Sequence, residues 1–291
     1  MKTKFDNYKK QIIKNSIIYH LFGPKKLIMN YYKQRFGHEY DFENPKTFME
    51  KINTRKASQD KLLTTCADKI KVRDYVADKI GDKYLIPQYF TAKRLTSKLY
   101  DEMPNECIIK TASGSSTLEI VRDKSKLNKK EFIKTIRKYQ KVKFHYIWGE
   151  MFYKNIKNNV ICEKLLLTKD NKIPTDIKVH CFRNGGNTKF YIQLDFDRFG
   201  DHRRNYYDKN FKLLKIKEQC ENYKDKVKKP KNWDKILKLA KKLSEDFEYV
   251  RVDFYDMEDQ VYFGELTFAH NAGLTEFHPE IWNKKFGNYW H

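Results

Sequence analysis

Residues 250–255 alternate between apolar and polar side chains, and residues 261–268 fall into two interleaved sets. Val250, Val252 and Phe254 interleave with Arg251, Asp253 and Tyr255, while Val261, Phe263, Glu265 and Thr267 interleave with Tyr262, Gly264, Leu266 and Phe268. Period-two alternation on both sides of a short polar stretch predicts an antiparallel hairpin. A carboxylate set among Phe263, Leu266 and Phe268 is costly unless it is paired or bound to a metal. If residues 256–260 form a five-residue turn, Asp253 pairs with Phe263 and Arg251 with Glu265. Asp253 and Glu265 then share a face as diagonal neighbours, roughly 7–8 Å apart. A four-residue turn puts them on opposite faces unless a bulge intervenes. The pattern leaves two readings open. One is a shared magnesium ion, whose oxygen ligands sit at about 2.0–2.1 Å. The other is an Arg251–Glu265 salt bridge with Asp253 solvated.

The rest of the chain mixes helices with short strands. Residues 1–60 read as helical, with Asn44 as a cap and Pro45 in the first turn of a helix carrying Phe48, Met49 and Ile52. A second helix is expected from Leu62 to Ile80, stopped by Gly81. Residues 107–111 and 118–122 read as strands around a small-residue turn, and Asn128 with Glu131 resembles a capping box. Val160 to Leu166 is strand-like. Ile177 to Arg183 and Lys189 to Phe196 flank Asn184-Gly185-Gly186-Asn187, a hairpin signal. A helix from Asn232 places Ile236, Ala240, Leu243 and Phe247 on one face. Prominent antiparallel hairpins among helices predict an α+β fold. No GxGxxG or GxxxxGK(S/T) pattern occurs, so dinucleotide-binding and P-loop folds lack their fingerprint.

Composition narrows the partners. Hydrophobic residues make up 40% and aromatic residues 15% of the chain, enough for a core. Lys and Arg number 60 against 38 Asp and Glu, a net charge of +22, which favours anionic partners or a solvated lysine-rich surface. No arginine-rich arm, zinc-finger spacing or RNA-binding aromatic signature accompanies that charge, so nucleic acid is not expected. The five cysteines form no CxxC pair, which fits a reducing, cytoplasmic setting. The stretch Ile12 to Phe22 is too short and too interrupted to span a bilayer, and it does not read as a signal peptide. The basic, aromatic stretch Tyr8 to Arg35 reads as a helical pair packed on the body, or as a peripheral contact at the inner face of a membrane.

Phosphate-binding candidates lie upstream. Lys110 ends an apolar strand and precedes Thr111-Ala112-Ser113-Gly114-Ser115-Ser116, a turn able to present backbone N–H groups. Lys178 points outward from its strand, and residues 197–204 (Asp197, Arg198, Phe199, Gly200, Asp201, His202, Arg203, Arg204) form a dense cationic loop suited to phosphate or carboxylate, or simply to solvent. Tyr206, Tyr207, Trp148 and Trp282 read as sugar-stacking rings or as core.

In order along the chain, these segments resemble the TupA-like branch of the ATP-grasp superfamily, named for teichuronopeptide biosynthesis. The matching stretches are residues 44–53, 67–76, 84–87, 109–115, 197–207, 250–255 and 263–268. The resemblance implies an ATP-grasp fold: two α+β subdomains gripping ATP, at residues 61–162 (the lid) and 163–291, preceded by a helical segment at 1–60. It implies that Lys110 contacts the nucleotide phosphates and that the turn Ser113-Gly114-Ser115 closes over them. Glu163, Lys164, Leu165 and Leu166 would form the hinge strand along the adenine edge, with Lys178 a second nucleotide-side lysine. Asp253 and Glu265 would hold one or two magnesium ions beside Thr267, which stands where many ATP-grasp enzymes have a metal-binding Asn. Arg204 and Arg251 would steady the transferred phosphate or the acceptor carboxylate. Two departures stand out: Thr267 itself, and Ser113-Gly114-Ser115-Ser116 in place of His-Gly-Ser-Gly.

The activity implied is ATP-dependent ligation of a carboxylate to an amine through an acylphosphate. The acceptor implied is a hexuronic acid of a surface polysaccharide or its precursor, and the amine an amino acid or amino sugar. The alternatives are a sugar kinase using Asp195 or Asp197 as base, a glycosyltransferase of capsule or O-antigen synthesis, and a basic nucleic-acid-binding module.

Overall fold

A computed structural model describes residues 4–197 and 200–290. Arg198 and Phe199, two members of the expected cationic loop, lie outside the described residues. In chain order the helices are α1 (Lys4–Phe36), α2 (Phe48–Lys56), α3 (Lys61–Ala67), α4 (Val72–Ile80), α5 (Ser97–Glu102), α6 (Lys129–Gln140), α7 (His145–Trp148), α8 (Trp233–Leu243) and α9 (Ile281–Tyr289). The strands are β1 (Gln88–Ala92), β2 (Cys107–Thr111), β3 (Leu118–Val121), β4 (Val160–Glu163), β5 (Asp176–Asn184), β6 (Asn187–Phe196), β7 (Arg203–Asp208), β8 (Leu213–Leu214), β9 (Lys217–Glu218), β10 (Tyr249–Asp256), β11 (Val261–Thr267) and β12 (Phe277–His278).

Two antiparallel sheets organise these elements, in the order β1-β4-β2-β3 and β11-β10-β5-β6-β7-β8. Each has its own core. The smaller one gathers Leu95, Ile109, Val121, Phe132, Ile136 and Cys162 beneath α5 and α6. The larger one runs from Phe48 and Met49 through Val179, Ile192 and Tyr249 to Phe286. Helices α3 and α4 contribute Cys66, Ala67, Val72 and Val76 to this larger core.

Local chemistry explains where the helices differ from expectation. Helix α2 begins at Phe48 and not at Asn44-Pro45. Thr47 caps it, with its hydroxyl accepting from the Glu50 N–H and Glu50 reaching back to the Thr47 N–H. The single helix expected over Leu62–Ile80 is broken at Asp68. That carboxylate accepts the N–H groups of Ile70 (2.9 Å) and Lys71 (3.3 Å), starting a new helix. The break frees the Lys69 N–H to bond the Ala112 carbonyl at 3.0 Å, tying the helix pair to the turn after β2. The strand expected over Val160–Leu166 ends at Glu163, and Phe247 lies past the end of α8. The Gly185-Gly186 hairpin forms as expected, with Asn184 opposite Asn187.

Candidate active site

A bulge sets the site. Asp256 pairs with Val261, Tyr255 with Tyr262 and Phe254 with Phe263, so the turn spans residues 257–260. The register then shifts, and Asp253 faces Glu265. The expected five-residue turn does not form; a four-residue turn plus one extra strand residue, Gly264, restores the shared face. A Cβ on Gly264 would lie 3.1 Å from the Asp253 carbonyl oxygen, so the close approach at the bulge favours glycine. Asp253 and Glu265 are therefore directly opposed, closer than the diagonal pair the five-residue turn implies.

Arg251 lies between them. Its Nε and Nη2 donate to the two Asp253 oxygens, both at 2.7 Å, and Nη2 also reaches Glu265 Oε1 at 3.1 Å and the Thr267 hydroxyl at 3.0 Å. The Thr267 hydroxyl donates to Glu265 Oε1 at 2.9 Å. Burial raises the Asp253 carboxyl to about 6 despite Arg251, with Glu265 adding to the rise. The expected Arg251–Glu265 contact is thus present, but Asp253 is buried and held by the same arginine instead of being solvated.

A chain of buried charges continues from Arg251. Its Nη1 donates to His270 Nδ1 at 3.0 Å. A guanidinium only donates, so Nδ1 accepts and Nε2–H donates to Glu218 Oε1 at 2.7 Å. Burial keeps His270 below its ordinary value, in line with this neutral tautomer. Glu218 also accepts from Arg204 Nη1 at 2.7 Å, from the Tyr206 hydroxyl at 2.6 Å and from Asn271 Nδ2 at 2.7 Å. Arg204 Nε donates to Asp195 at 2.6 Å, and Lys178 pairs with the same carboxylate. Burial alone would raise Asp195 and Glu218. Lys178 and Arg204 for the one, and His270 and Arg204 for the other, hold both well below the usual carboxylate range. Glu218 and His270 carried no local sequence signal, and Tyr206 is a buried member of this network rather than an exposed sugar platform.

This network floors a cleft of about 470 Å³, lined among others by Ser115, Trp148, Glu150, Lys178, Arg204, Arg251, Glu265 and Asn271. Burial raises Glu150 and lowers its buried neighbour Lys56. A second pocket, lined by Lys69, Arg73, Lys110 and Glu163, meets the cleft at Tyr153 and Glu265. There Glu163 pairs with Lys110 at 2.6 Å and with Arg73 at 2.9 Å, so its side chain faces the lysines. Beyond Lys110 lies an apolar slot of about 100 Å³ between Ile86, Ile108, Ile120, Pro174 and the segment Lys164-Leu165-Leu166. The Lys164 N–H bonds the Pro87 carbonyl at 2.9 Å. Slot, lysine pocket and cleft form one trench with Glu265 at its middle.

The turn after β2 overhangs the trench. Gly114 has φ +82°, and a Cβ there would lie 2.2 Å from the Phe144 ring. The Gly114 carbonyl accepts from Lys69 Nζ, the Ser113 N–H bonds Asn158, and Ser115 and Ser116 are exposed over the cleft.

A family model described as TupA-like ATPgrasp matches residues 45–291. The chain belongs to the TupA-like ATP-grasp family. Its two α+β halves around the trench are the ATP-grasp fold. Among solved structures it is similar to D-alanine–D-alanine ligase from Helicobacter pylori, at 14% identity over 78% of this chain and 61% of that one, with a TM-score of 0.46. It is also similar to N5-carboxyaminoimidazole ribonucleotide synthetase from Thermus thermophilus, at 14% identity over 79% of this chain and 52% of that one, again with a TM-score of 0.46. The chain thus spans only part of the length of these proteins. No curated protein matches the sequence.

Magnesium is typical of ATP-grasp enzymes, and the residues here can be tested for fit. Among the described residues no three His, Cys, Asp or Glu side chains gather as a metal cage. Magnesium needs none when substrate phosphates and water complete its shell, since one or two carboxylates then suffice. Asp253 and Glu265, with the Thr267 hydroxyl beside them, supply that hard-oxygen set, and Glu265 lines both pockets that meet there. Asp253, bonded by Arg251 along one edge of its carboxylate, keeps further lone pairs for an ion.

Proposed function

We propose that this family member is an ATP- and magnesium-dependent carboxylate–amine ligase acting through an acylphosphate. The observation that carries the reading is the position of Glu265, between a lysine-lined pocket and a cleft lined by Lys178, Arg204 and Arg251. ATP lies with its adenine in the apolar slot at Lys164-Leu165-Leu166 and its phosphates against Lys110 and Lys69. Asp253 and Glu265 hold magnesium, which when bound neutralises charge on the phosphates as the terminal phosphoryl moves. The acceptor carboxylate lies in the cleft near Arg251 and Arg204. Its oxygen takes the γ-phosphoryl group and ADP leaves. The amine then attacks the acyl carbon, inorganic phosphate leaves, and the amine proton passes to solvent. The Ser113–Ser116 turn shields the acylphosphate from water. The mobile lid we assign comprises roughly residues 88–140 with β4, narrower than 61–162, because α3, α4 and the segment around Phe152 pack with the larger core.

For the substrates we propose a hexuronic acid of a surface polysaccharide or its precursor, and an amino acid or amino sugar as amine. This part rests on the family's name and context. A kinase needs a base near a sugar hydroxyl. Asp195, the candidate inside the trench, is held ionised by Lys178 and Arg204, which makes it a poor proton acceptor. Hydroxylamine trapping separates the two. Hydroxamate formed from a hexuronic acid with ATP and magnesium supports the ligase. A stable phosphosugar in its place contradicts it. Thermal stabilisation by a sugar nucleotide and not by ATP would point to a glycosyltransferase.

A further inference from the structure

Helix α1 folds back on itself at Gly23 and Pro24. The returning segment buries Leu27, Ile28 and Tyr32 against the body. The outgoing segment is held differently. Gln11 and Asn15 donate to the Tyr31 hydroxyl at 2.8 and 2.6 Å, and Gln11 donates to the Ile147 carbonyl of α7 at 2.8 Å. Its inward face thus mixes amides with the half-buried Ile12, Ile18 and Tyr19. Its outward face carries Ile13, Ile17 and Leu21 at i, i+4 and i+8, and Phe22 stands at the end of the segment, all between 55% and 68% exposed. The outward face of a surface helix is ordinarily polar, so an apolar stripe turned to water marks a contact.

The charges around the stripe select the partner. Lys10 and Lys14 are exposed beside it and Lys26 just beyond the kink, on a chain of net charge +22. A second copy would bring like charges together around the stripe. An anionic bilayer surface complements both the stripe and its lysines. No helix among the described residues is long and apolar enough to cross a membrane, so the contact is interfacial.

The same element leads to the trench. A groove of about 720 Å³, lined by Lys10, Lys14, Tyr31 and Arg35 and by no acidic residue among those described, ends at Trp148 and Leu274. Both of those residues also line the catalytic cleft. We propose that the outgoing segment of α1 rests on an anionic membrane surface, and that the groove admits the head group of a membrane-anchored acceptor to the cleft. Only the second clause rests on the ligase reading.

The test is co-sedimentation of the full chain with phosphatidylcholine vesicles, with and without phosphatidylglycerol. Wild type is expected to pellet with the phosphatidylglycerol-containing vesicles and to be released by salt. The double variant Ile17→Asp and Leu21→Asp, at exposed positions outside the trench, is expected to partition at least about tenfold less while keeping its thermal unfolding midpoint. Equal partition of the variant overturns the proposal. So does equal binding of wild type to pure phosphatidylcholine, or a wild-type dimer on gel filtration that the variant abolishes. Partition is read without turnover, so its failure leaves the ligase reading standing, and a failed hydroxamate assay leaves the membrane result standing.

Discussion

Asp253 stands directly across the β10–β11 ladder from Glu265, and Arg251 bonds to both. Two opposed carboxylates on neighbouring strands repel each other, and burial of Asp253 adds to the cost. The arginine offsets both and leaves the two acids pointing where magnesium would need them. On this account Arg251 preorganises the ligands, and Thr267, bonded to both Arg251 and Glu265, sets the rotamer of the more exposed acid.

Replacing Thr267 by Val keeps the shape and removes one donor to Glu265 and one acceptor for Arg251. The expected result is a loss of roughly tenfold in magnesium affinity, about 1.4 kcal/mol, with little change in the unfolding midpoint. Isothermal titration of magnesium in the presence of a non-hydrolysable ATP analogue measures it.

Gly114→Ala puts a methyl group into the Phe144 ring at a positive φ. A destabilisation of about 1–3 kcal/mol is expected, read as a lowered denaturant midpoint at constant slope. Because the turn overhangs the cleft, the variant should also lose more hydroxamate yield than ATP affinity, since water then reaches the acylphosphate.

Asp195→Asn leaves Lys178 and Arg204 buried without their shared anion. The expected cost is about 3–5 kcal/mol in denaturant unfolding. The same network sets an acid limit. Asp195 and Glu218 titrate lower in the folded protein than in the unfolded chain. Their contribution is therefore complete above the ordinary carboxylate range near pH 4 and falls away as the pH drops below it. An Asp195→Asn chain should show a shallower loss of stability over that acid interval than wild type.

Much of the fold was legible in the sequence where the pattern is local. Alternation located β10 and β11, and Gly185-Gly186 located the β5–β6 hairpin. The register of the closing hairpin was not, because one extra strand residue cancels the shorter turn. The lone Gly264 inside an alternating run was the available sign of a bulge. Likewise Thr47 with Glu50 was a truer capping box than Asn44-Pro45 was a helix start. Lys110, Lys178, Arg204, Arg251 and Glu265 do line one trench, and Asp253 is buried beneath it against Arg251. The bonds that hold them could not be foreseen. Arg204 meets Glu218 fourteen residues away and His270 meets Glu218 fifty-two residues away, on elements whose pairing depends on the whole sheet.

The most direct test of the central claim, that Asp253 and Glu265 hold magnesium for a bound nucleotide, is the affinity of a non-hydrolysable ATP analogue with and without magnesium. It should be measured for wild type and for Glu265→Gln. Wild type is expected to bind at least about tenfold more tightly with magnesium, a gain of about 1.4 kcal/mol. Glu265→Gln is expected to lose that gain while keeping its metal-free affinity and its unfolding midpoint. An undiminished magnesium effect in Glu265→Gln would contradict the assignment.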